Sequence, residues 1–336
     1  MKLIIQIPCF NEENTLPATV ADLPSHIDGI DTIEYLVVND GSSDRTVEVA
    51  RECGVHHIVG FKANMGLARA FEAGFDACLR LGADIIVNTD ADNQYCGADI
   101  EKLVEPILAE RAEIVIGERP IDDIKEFSRM KKRMQRIGSL VVRVASGTNI
   151  PDAPSGFRAY TREAALRVNI FNAYTYTLET IIQAGNNRIP ITSVSIRTNP
   201  QSRKSRLIKS VRSYIVRSAT VIIRSSIMYR PLKFFTIFGS ILSAVGLAFI
   251  IRWLVMTAMG TSGGNIQSLI LSAMLIMVGA QVIVGGLQAD IISANRKLLE
   301  DIQYRVRKME ADSAYRADSA DCVNRADSTD STDKSV

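Results

Sequence analysis

Ala83-Asp84-Ile85-Ile86-Val87-Asn88-Thr89-Asp90-Ala91-Asp92-Asn93-Gln94 is an apolar run that ends in a cluster of short polar residues. The run reads as a buried strand and the cluster as the turn at its mouth. Two carboxylates at i and i+2 point to the same side while the chain is still extended, so Asp90 and Asp92 can converge on one cation. The plainer alternative is a turn that caps the next helix, since Asp favours both positions.

Outward from this stretch, short apolar runs alternate with helical patterns from residue 3 to about residue 117. Strands are expected at Leu3 to Ile7, Glu34 to Val38, His57 to Val59, Asp84 to Asn88 and Glu113 to Ile116. Helices are expected at about 13–24, 44–53, 66–81 and 98–110. Such alternation predicts an α/β domain built on a largely parallel sheet, with ligands at the carboxyl ends of the strands.

The residues just past each run suit that position. Pro8-Cys9-Phe10-Asn11-Glu12-Glu13 follows the first strand; Pro8 is expected to end its ladder, and the acidic pair to open a helix. Asn39-Asp40-Gly41-Ser42-Ser43-Asp44 follows the second. Gly41 permits a tight turn there, and Asp40 can accept hydrogen bonds from a base or ribose or close an Asx-turn. Asn64-Met65-Gly66-Leu67-Ala68-Arg69-Ala70 follows the third, with small residues at 66, 70 and 74 along one helix stripe.

In order, the strand ends carry FNEE, DGSSD, NMGLARA and DADNQ. As a set they resemble glycosyltransferase family 2, the inverting enzymes of GT-A fold. The chain is most similar to the branch that makes polyprenyl-phosphate sugars, the dolichyl-phosphate mannose synthases and their undecaprenyl-phosphate relatives. The resemblance covers roughly residues 3–310 and implies a Rossmann-like nucleotide-diphospho-sugar transferase domain.

It also implies roles. Pro8, Phe10, Glu12, Asp40, Asn64 and Asp90 would contact the nucleotide, while Asp90, Asp92 and Gln94 would hold Mg²⁺ or Mn²⁺ on the diphosphate. Carboxylate and amide oxygens suit a hard cation, which neutralises charge on a departing diphosphate. Ile116-Gly117-Glu118-Arg119-Pro120 is similar to the family's arginine-bearing strand. The basic stretch 129–139 contributes Arg136, with most of its other charges read as a solvated face. Asp152-Ala153-Pro154-Ser155-Gly156-Phe157-Arg158 matches the pattern D-x-x-S-G-F-R, which read plainly is a loop leading into a helix near Arg162. The resemblance makes Asp152, Arg119 and Arg136 the catalytic set.

An acceptor phosphate is already anionic, so Asp152 need not act as a base, and cations for positioning matter more. In relatives, the loop near residue 200 reads R-x-x-G-x-S-[KR]. This chain has Gln201 at the arginine position and Arg203 at the glycine position. Arg203 and Arg206 therefore join Arg119 and Arg136 as acceptor-phosphate ligands.

A basic amphipathic stretch follows at 207–231, then apolar segments at about 234–256 and 267–288, each able to cross roughly 30 Å of hydrocarbon. Tyr214 and Tyr229 are the basic stretch's aromatics, too few for a base-stacking platform, which argues for an anionic membrane surface over nucleic acid. Lys and Arg are absent from 257–265 and crowd both outer flanks. The catalytic domain and both termini are accordingly expected to be cytoplasmic, with two spans in the plasma membrane. The net charge of +2 hides this distribution, and 47% apolar residues support a sizeable core. Cys9, Cys53, Cys78, Cys96 and Cys322 share no C-x-x-C spacing, so neither a disulfide framework nor a zinc site is indicated.

The expected plan is a catalytic domain at 1–206, amphipathic helices at 207–231, two spans within 232–290, an interfacial helix at 291–310 and a disordered tail at 311–336. The expected partners are a nucleotide sugar, a polyprenyl phosphate and a membrane; a homo-oligomer is compatible with the sequence. Hexose transfer from GDP-mannose or UDP-glucose to the lipid phosphate is the leading function. A polysaccharide synthase and an inactive scaffold of the same fold are the alternatives.

Overall fold

The computed structural model describes residues 1–120, 138–140, 142–143, 145–170, 176–200, 220, 224, 227–229, 231–260 and 266–330. The chain divides into two units, one of residues 1–221 with 302–336 and one of residues 222–301.

In the first unit, β1 (Lys2–Cys9), β2 (Thr32–Asp40), β3 (His57–Phe61), β4 (Ile85–Asn88), β5 (Ile114–Glu118), β6 (Arg158–Thr161) and β7 (Ile191–Ser195) form one sheet in the order β3-β2-β1-β4-β6-β5-β7. Four of the six pairings are parallel, and β6 runs antiparallel to both β4 and β5. Helices α1 (Leu16–Ala21), α2 (Thr46–Glu52), α3 (Leu67–Arg80) and α4 (Ile100–Leu108) connect the parallel strands; α5 (Arg162–Arg167) and α6 (Thr177–Asn186) follow β6.

The period-two alternation of β1 decides the layering. Leu3, Ile5 and Ile7 face a core with Leu16, Val20, Ile100 and Leu103 from α1 and α4. Ile4 and Gln6 therefore point to the opposite face, where the Gly74 turn of α3 comes up against Gln6 and Val38. The slim stripe of small residues thus serves helix–sheet packing.

Two expectations about this domain are corrected. Pro8 does not end its ladder, because it stays in register with Val38 while β4 pairs with β1 only from Leu3 to Gln6. Residues 6 and 8 turn their peptide groups to the same side, so the missing N–H of Pro8 falls where β4 has already ended. The segment at 158–161, read plainly as a loop, is strand β6. Its four residues are too few to show a period, and its first side chain, Arg158, is a fully buried cation.

In the second unit, α7 (Pro231–Ala258) has 28 residues, or about 42 Å of helix. It and the apolar start of α8 (Ile266–Asp330) are long and apolar enough to cross a membrane. Their side chains point largely outward, as at Phe238, Ile241, Leu247, Ile270 and Met277. The two helices approach closely at Gly239, Gly246 and Gly279, where a methyl at 239 would lie 2.6 Å from the Gly279 carbonyl oxygen. Small residues at a crossing let backbones meet in this way.

Helix α8 runs without a break to Asp330, in place of a separate element at 291–310 and a disordered tail from 311. Neither Gly nor Pro occurs from 287 to 330 to stop it. Its residues 302–316 also pack on the catalytic domain. Arg307 donates to the Val168 carbonyl at 3.0 Å and pairs with Asp76 at 3.2 Å, and Arg162 bonds Asp312 at 3.0 Å. Ala311 is buried against that face. The amphipathic stretch expected at 207–231 lies almost wholly outside the described residues.

Candidate active site

The carboxyl ends of β1, β2 and β4 open on one edge of the sheet, and the loops there brace one another. Asn11 takes a left-handed backbone conformation (φ 56°) directly after Phe10. Its backbone N–H donates to Ser42 Oγ at 3.0 Å, and its side-chain oxygen accepts the Ser43 N–H at 2.8 Å. Glu12 is buried, its N–H on Thr46 Oγ1 at 2.9 Å and its carboxylate accepting from Thr15 Oγ1 at 2.7 Å. Phe10 stands exposed on the rim above the buried strand.

Asp40 is buried at the end of β2 and is engaged by protein donors. Oδ1 accepts the Met65 N–H at 2.7 Å, and Oδ2 accepts the Gly66 N–H and Asn64 Nδ2, both at 3.0 Å. Gly41 follows with φ 70°, and a methyl there would lie 2.6 Å from the Asn64 backbone nitrogen. The Asp40 carboxylate thus shapes the 64–66 loop and orients Asn64. A contact to base or ribose would use what acceptor capacity those three bonds leave.

The end of β4 differs. Asn93 adopts φ 54°, turning the chain back after Asp92. Gln94 donates from its N–H and its Nε2 to Asp92, at 3.3 and 2.9 Å. Asp90 is half-buried, and its proton affinity is pushed up to about 7, first by desolvation of its carboxyl and next by the Asp92 charge. Arg119 and the Tyr95 hydroxyl act in the opposite sense without restoring the ordinary value. No cluster of three or more His, Cys, Asp or Glu able to hold a metal occurs among the described residues. This turn offers two carboxylates and an amide, all hard oxygen donors of the kind that suit a hard cation.

Across from this pair, β5 delivers Arg119. Its Nε donates to Asp152 Oδ2 at 2.7 Å and its Nη2 to Oδ1 at 3.0 Å, a bidentate fork on a fully buried carboxylate. The Arg119 side chain itself is 13% exposed, against none for Asp152. Burial works against its charge, and Asp152 more than offsets that, raising the guanidinium's proton affinity.

Asp152 is held in turn by the segment leading into β6. Arg158 points inward and donates to the Ser155 carbonyl at 2.7 Å, the Ala153 carbonyl at 2.8 Å and Thr180 Oγ1 at 2.6 Å. The arginine of the D-x-x-S-G-F-R pattern is therefore a buried brace for the loop.

The structure thus gathers Asp90, Asp92, Gln94, Arg119 and Asp152 around one mouth, with Pro8, Phe10, Glu12, Asp40 and Asn64 along the same edge. Arg136, Arg203 and Arg206 lie outside the described residues. Asn88, Tyr95 and Tyr176 had no role read from the sequence, and Gly156 entered only as a member of the D-x-x-S-G-F-R pattern. Tyr95 directly follows Gln94, and Asn88, at the end of β4, is hydrogen-bonded to Gly156 and Tyr176.

The glycosyl transferase family 2 profile matches residues 4–168. A UDP-N-acetylglucosamine–dolichyl-phosphate N-acetylglucosaminyltransferase from Methanococcus voltae is 31% identical over 57% of this chain and 83% of its own length. An undecaprenyl-phosphate 4-deoxy-4-formamido-L-arabinose transferase from Sodalis glossinidius is 26% identical over 91% of this chain and 92% of its own. Among solved structures, glucosyl-3-phosphoglycerate synthase from Mycobacterium tuberculosis, crystallised with Mn²⁺, UDP and glucosyl-3-phosphoglycerate, shares the fold. Its TM-score is 0.51 at 18% identity, covering 67% of this chain and 78% of that one. The chain belongs to glycosyltransferase family 2 and is a glycosyltransferase of GT-A fold, similar to the branch that acts on polyprenyl phosphates.

Proposed function

We propose that the chain moves one hexose from a nucleotide sugar, GDP-mannose or UDP-glucose, to a polyprenyl phosphate at the cytoplasmic face of a membrane, with inversion. The observation that carries this reading is the pair of sites: a half-buried Asp90–Asp92 couple short of positive charge, and near it an Arg119 fork preset by Asp152.

Asp90 and Asp92, with the oxygen of Gln94, would hold Mg²⁺ or Mn²⁺, which neutralises charge on the departing diphosphate. Phe10 offers its ring to the base, and Glu12, Pro8 and Asn64 line the edge beside it. Arg119 receives the acceptor phosphate and sets one of its oxygens in line with the anomeric carbon. That oxygen forms the new bond to carbon as the bond to the diphosphate breaks, the electron pair leaving with the nucleoside diphosphate. The attacking oxygen is already anionic, so no proton has to move. Asp152, with both oxygens on Arg119, is read as the residue that aims the arginine. Arg136, Arg203 and Arg206 are proposed as further cations for the lipid phosphate.

The acceptor is supported by the dolichyl- and undecaprenyl-phosphate relatives, one of them similar over nearly the whole chain. Two apolar helices with outward-facing side chains support a two-span membrane anchor. The test incubates the purified chain with labelled GDP-mannose, UDP-glucose or UDP-N-acetylglucosamine and either polyprenyl phosphate or 3-phosphoglycerate. Label is expected in the organic phase with one donor and polyprenyl phosphate, and lost when EDTA removes the ion. Transfer to 3-phosphoglycerate alone, or from no donor, overturns the proposal.

A further inference from the structure

Tyr95 stands behind the carboxylate that the proposed reaction asks to bind an ion. Its ring is 5% exposed and stacks on Phe157, with centroids 4.9 Å apart and planes 7° from parallel. Its hydroxyl oxygen accepts the Gly156 N–H at 3.1 Å, and Gly156 in turn lies against the Asp90 carboxylate. A phenol has one proton to donate; with the amide hydrogen directed at its oxygen, that proton is left for an acceptor such as Asp90.

The Gly156 peptide is held from its other side as well. Asn88 Nδ2 donates to the Gly156 carbonyl at 2.8 Å and to the Tyr176 oxygen at 3.0 Å, while Asn88 Oδ1 accepts from Gln6 at 2.9 Å. The missing side chain at 156 matters too. A methyl there would lie 3.2 Å from both Asp90 oxygens and 3.1 Å from the Tyr176 oxygen. Asp90 thus rests against a surface made by one glycine and one hydroxyl, both fixed by the core.

We infer that Tyr95 is a positioning residue for Asp90: its hydroxyl aims the carboxylate at a divalent ion and, through the Gly156 amide, ties that aim to the segment whose Asp152 holds Arg119. This rests on the metal-assisted reading proposed above. It makes donor-side and acceptor-side geometry parts of one hydrogen-bonded unit.

Tyr95→Phe removes the hydroxyl and keeps the stacked ring. In the full chain in detergent, Mn²⁺ binding is followed from the free-ion paramagnetic resonance signal, with UDP and separately with GDP present. Loss of an outer partner of a metal ligand typically weakens metal binding about 10- to 100-fold, and that is the expected result. Nucleotide affinity in EDTA should be unchanged. Tyr160→Phe is the control, because it deletes another buried phenol oxygen, one without a hydrogen-bond partner; it should leave Mn²⁺ affinity unchanged. Gly156→Ala crowds the same carboxylate from the other side and should also weaken Mn²⁺, which keeps the test open if Tyr95→Phe fails to fold.

Mn²⁺ affinity within twofold of the unsubstituted chain in Tyr95→Phe overturns the inference while the proposed function stands. Equal weakening by Tyr160→Phe overturns it too, since any buried hydroxyl would then do the same. Absence of Mn²⁺ binding by the unsubstituted chain, with either nucleotide, overturns both readings together.

Discussion

Asp40, buried, and Asp90, half-buried, are two carboxylates on one edge of the same sheet, one strand apart, and their surroundings are opposite. Asp40 accepts three N–H bonds from the 64–66 loop. Asp90 has a phenol hydroxyl, a nearby arginine and, against these, the charge of Asp92. A carboxylate satisfied by protein donors is complete as it stands and holds backbone in place. One whose charge is left over asks for a cation from outside, which is the mark of a binding site more than of a scaffold. Burial alone therefore does not separate a structural acid from a functional one; the count of donors and like charges does.

The contrast fails most visibly if Asp92→Asn leaves transfer intact. The proposed ion supplies several kcal/mol of charge stabilisation, so loss of one ligand should lower the rate by about 10²- to 10³-fold. The metal-free melting temperature should hold or rise, because a like charge next to Asp90 is removed. Transfer assays beside thermal melts check both halves.

Asp40→Ala should show the reverse pattern. It leaves two backbone N–H groups and the Asn64 amide without their acceptor, a loss of about 3 kcal/mol, three donors each at the low end of about 1–3 kcal/mol because the part-buried loop admits water. Denaturant unfolding would reveal it, while Mn²⁺ affinity measured below the transition should change little. A variant as stable as the parent would show that solvent satisfies the loop instead.

The smallest expected effect concerns pH. Asp90 binds its proton up to about 7 in the folded chain, against 3.8 ordinarily. Between those values the folded state holds a proton that the unfolded state has lost, so metal-free stability falls as pH rises through that window and levels off above it. An ion must displace that proton, so the melting-temperature gain from Mn²⁺ should grow over the same window. Melts of the chain from about pH 5 to 8, with and without Mn²⁺, test the sign. In Asp92→Asn the window should narrow.

Much of the first unit is legible in the sequence because parallel strands advertise themselves. Leu3 to Ile5, Leu36 to Val38 and Ile85 to Val87 are continuous apolar runs, since both faces of each strand are covered. The motif residues lie directly after those runs. The acceptor side is harder to read. Strand β6 is short, begins with a buried arginine, and pairs antiparallel with strands far away in sequence. Arg119 and Asp152 meet across 33 positions, and no local pattern specifies that fork. Arg158 carries a charge, which composition assigns to solvent; three acceptors in the core make its burial possible. The C-terminal helix is the other surprise. Its Ala, Asp and Ser content suggests a loose tail, whereas contacts made by Arg307, Ala311 and Asp312 give residues 302–316 a face to pack on.

The sequence by itself determined the α/β alternation, the family, the acidic and arginine residues at the strand ends and the two long apolar helices, because each is written in local period or short motifs. The tertiary structure alone decided which acid is satisfied and which is not. Asp40 and Asp90 are the same side chain after similar strands; only the arrival of the 64–66 amides at one, and of Asp92, Tyr95 and Gly156 at the other, distinguishes them. Electrostatic balance in a buried site is a sum over neighbours, and most of those neighbours are distant in sequence.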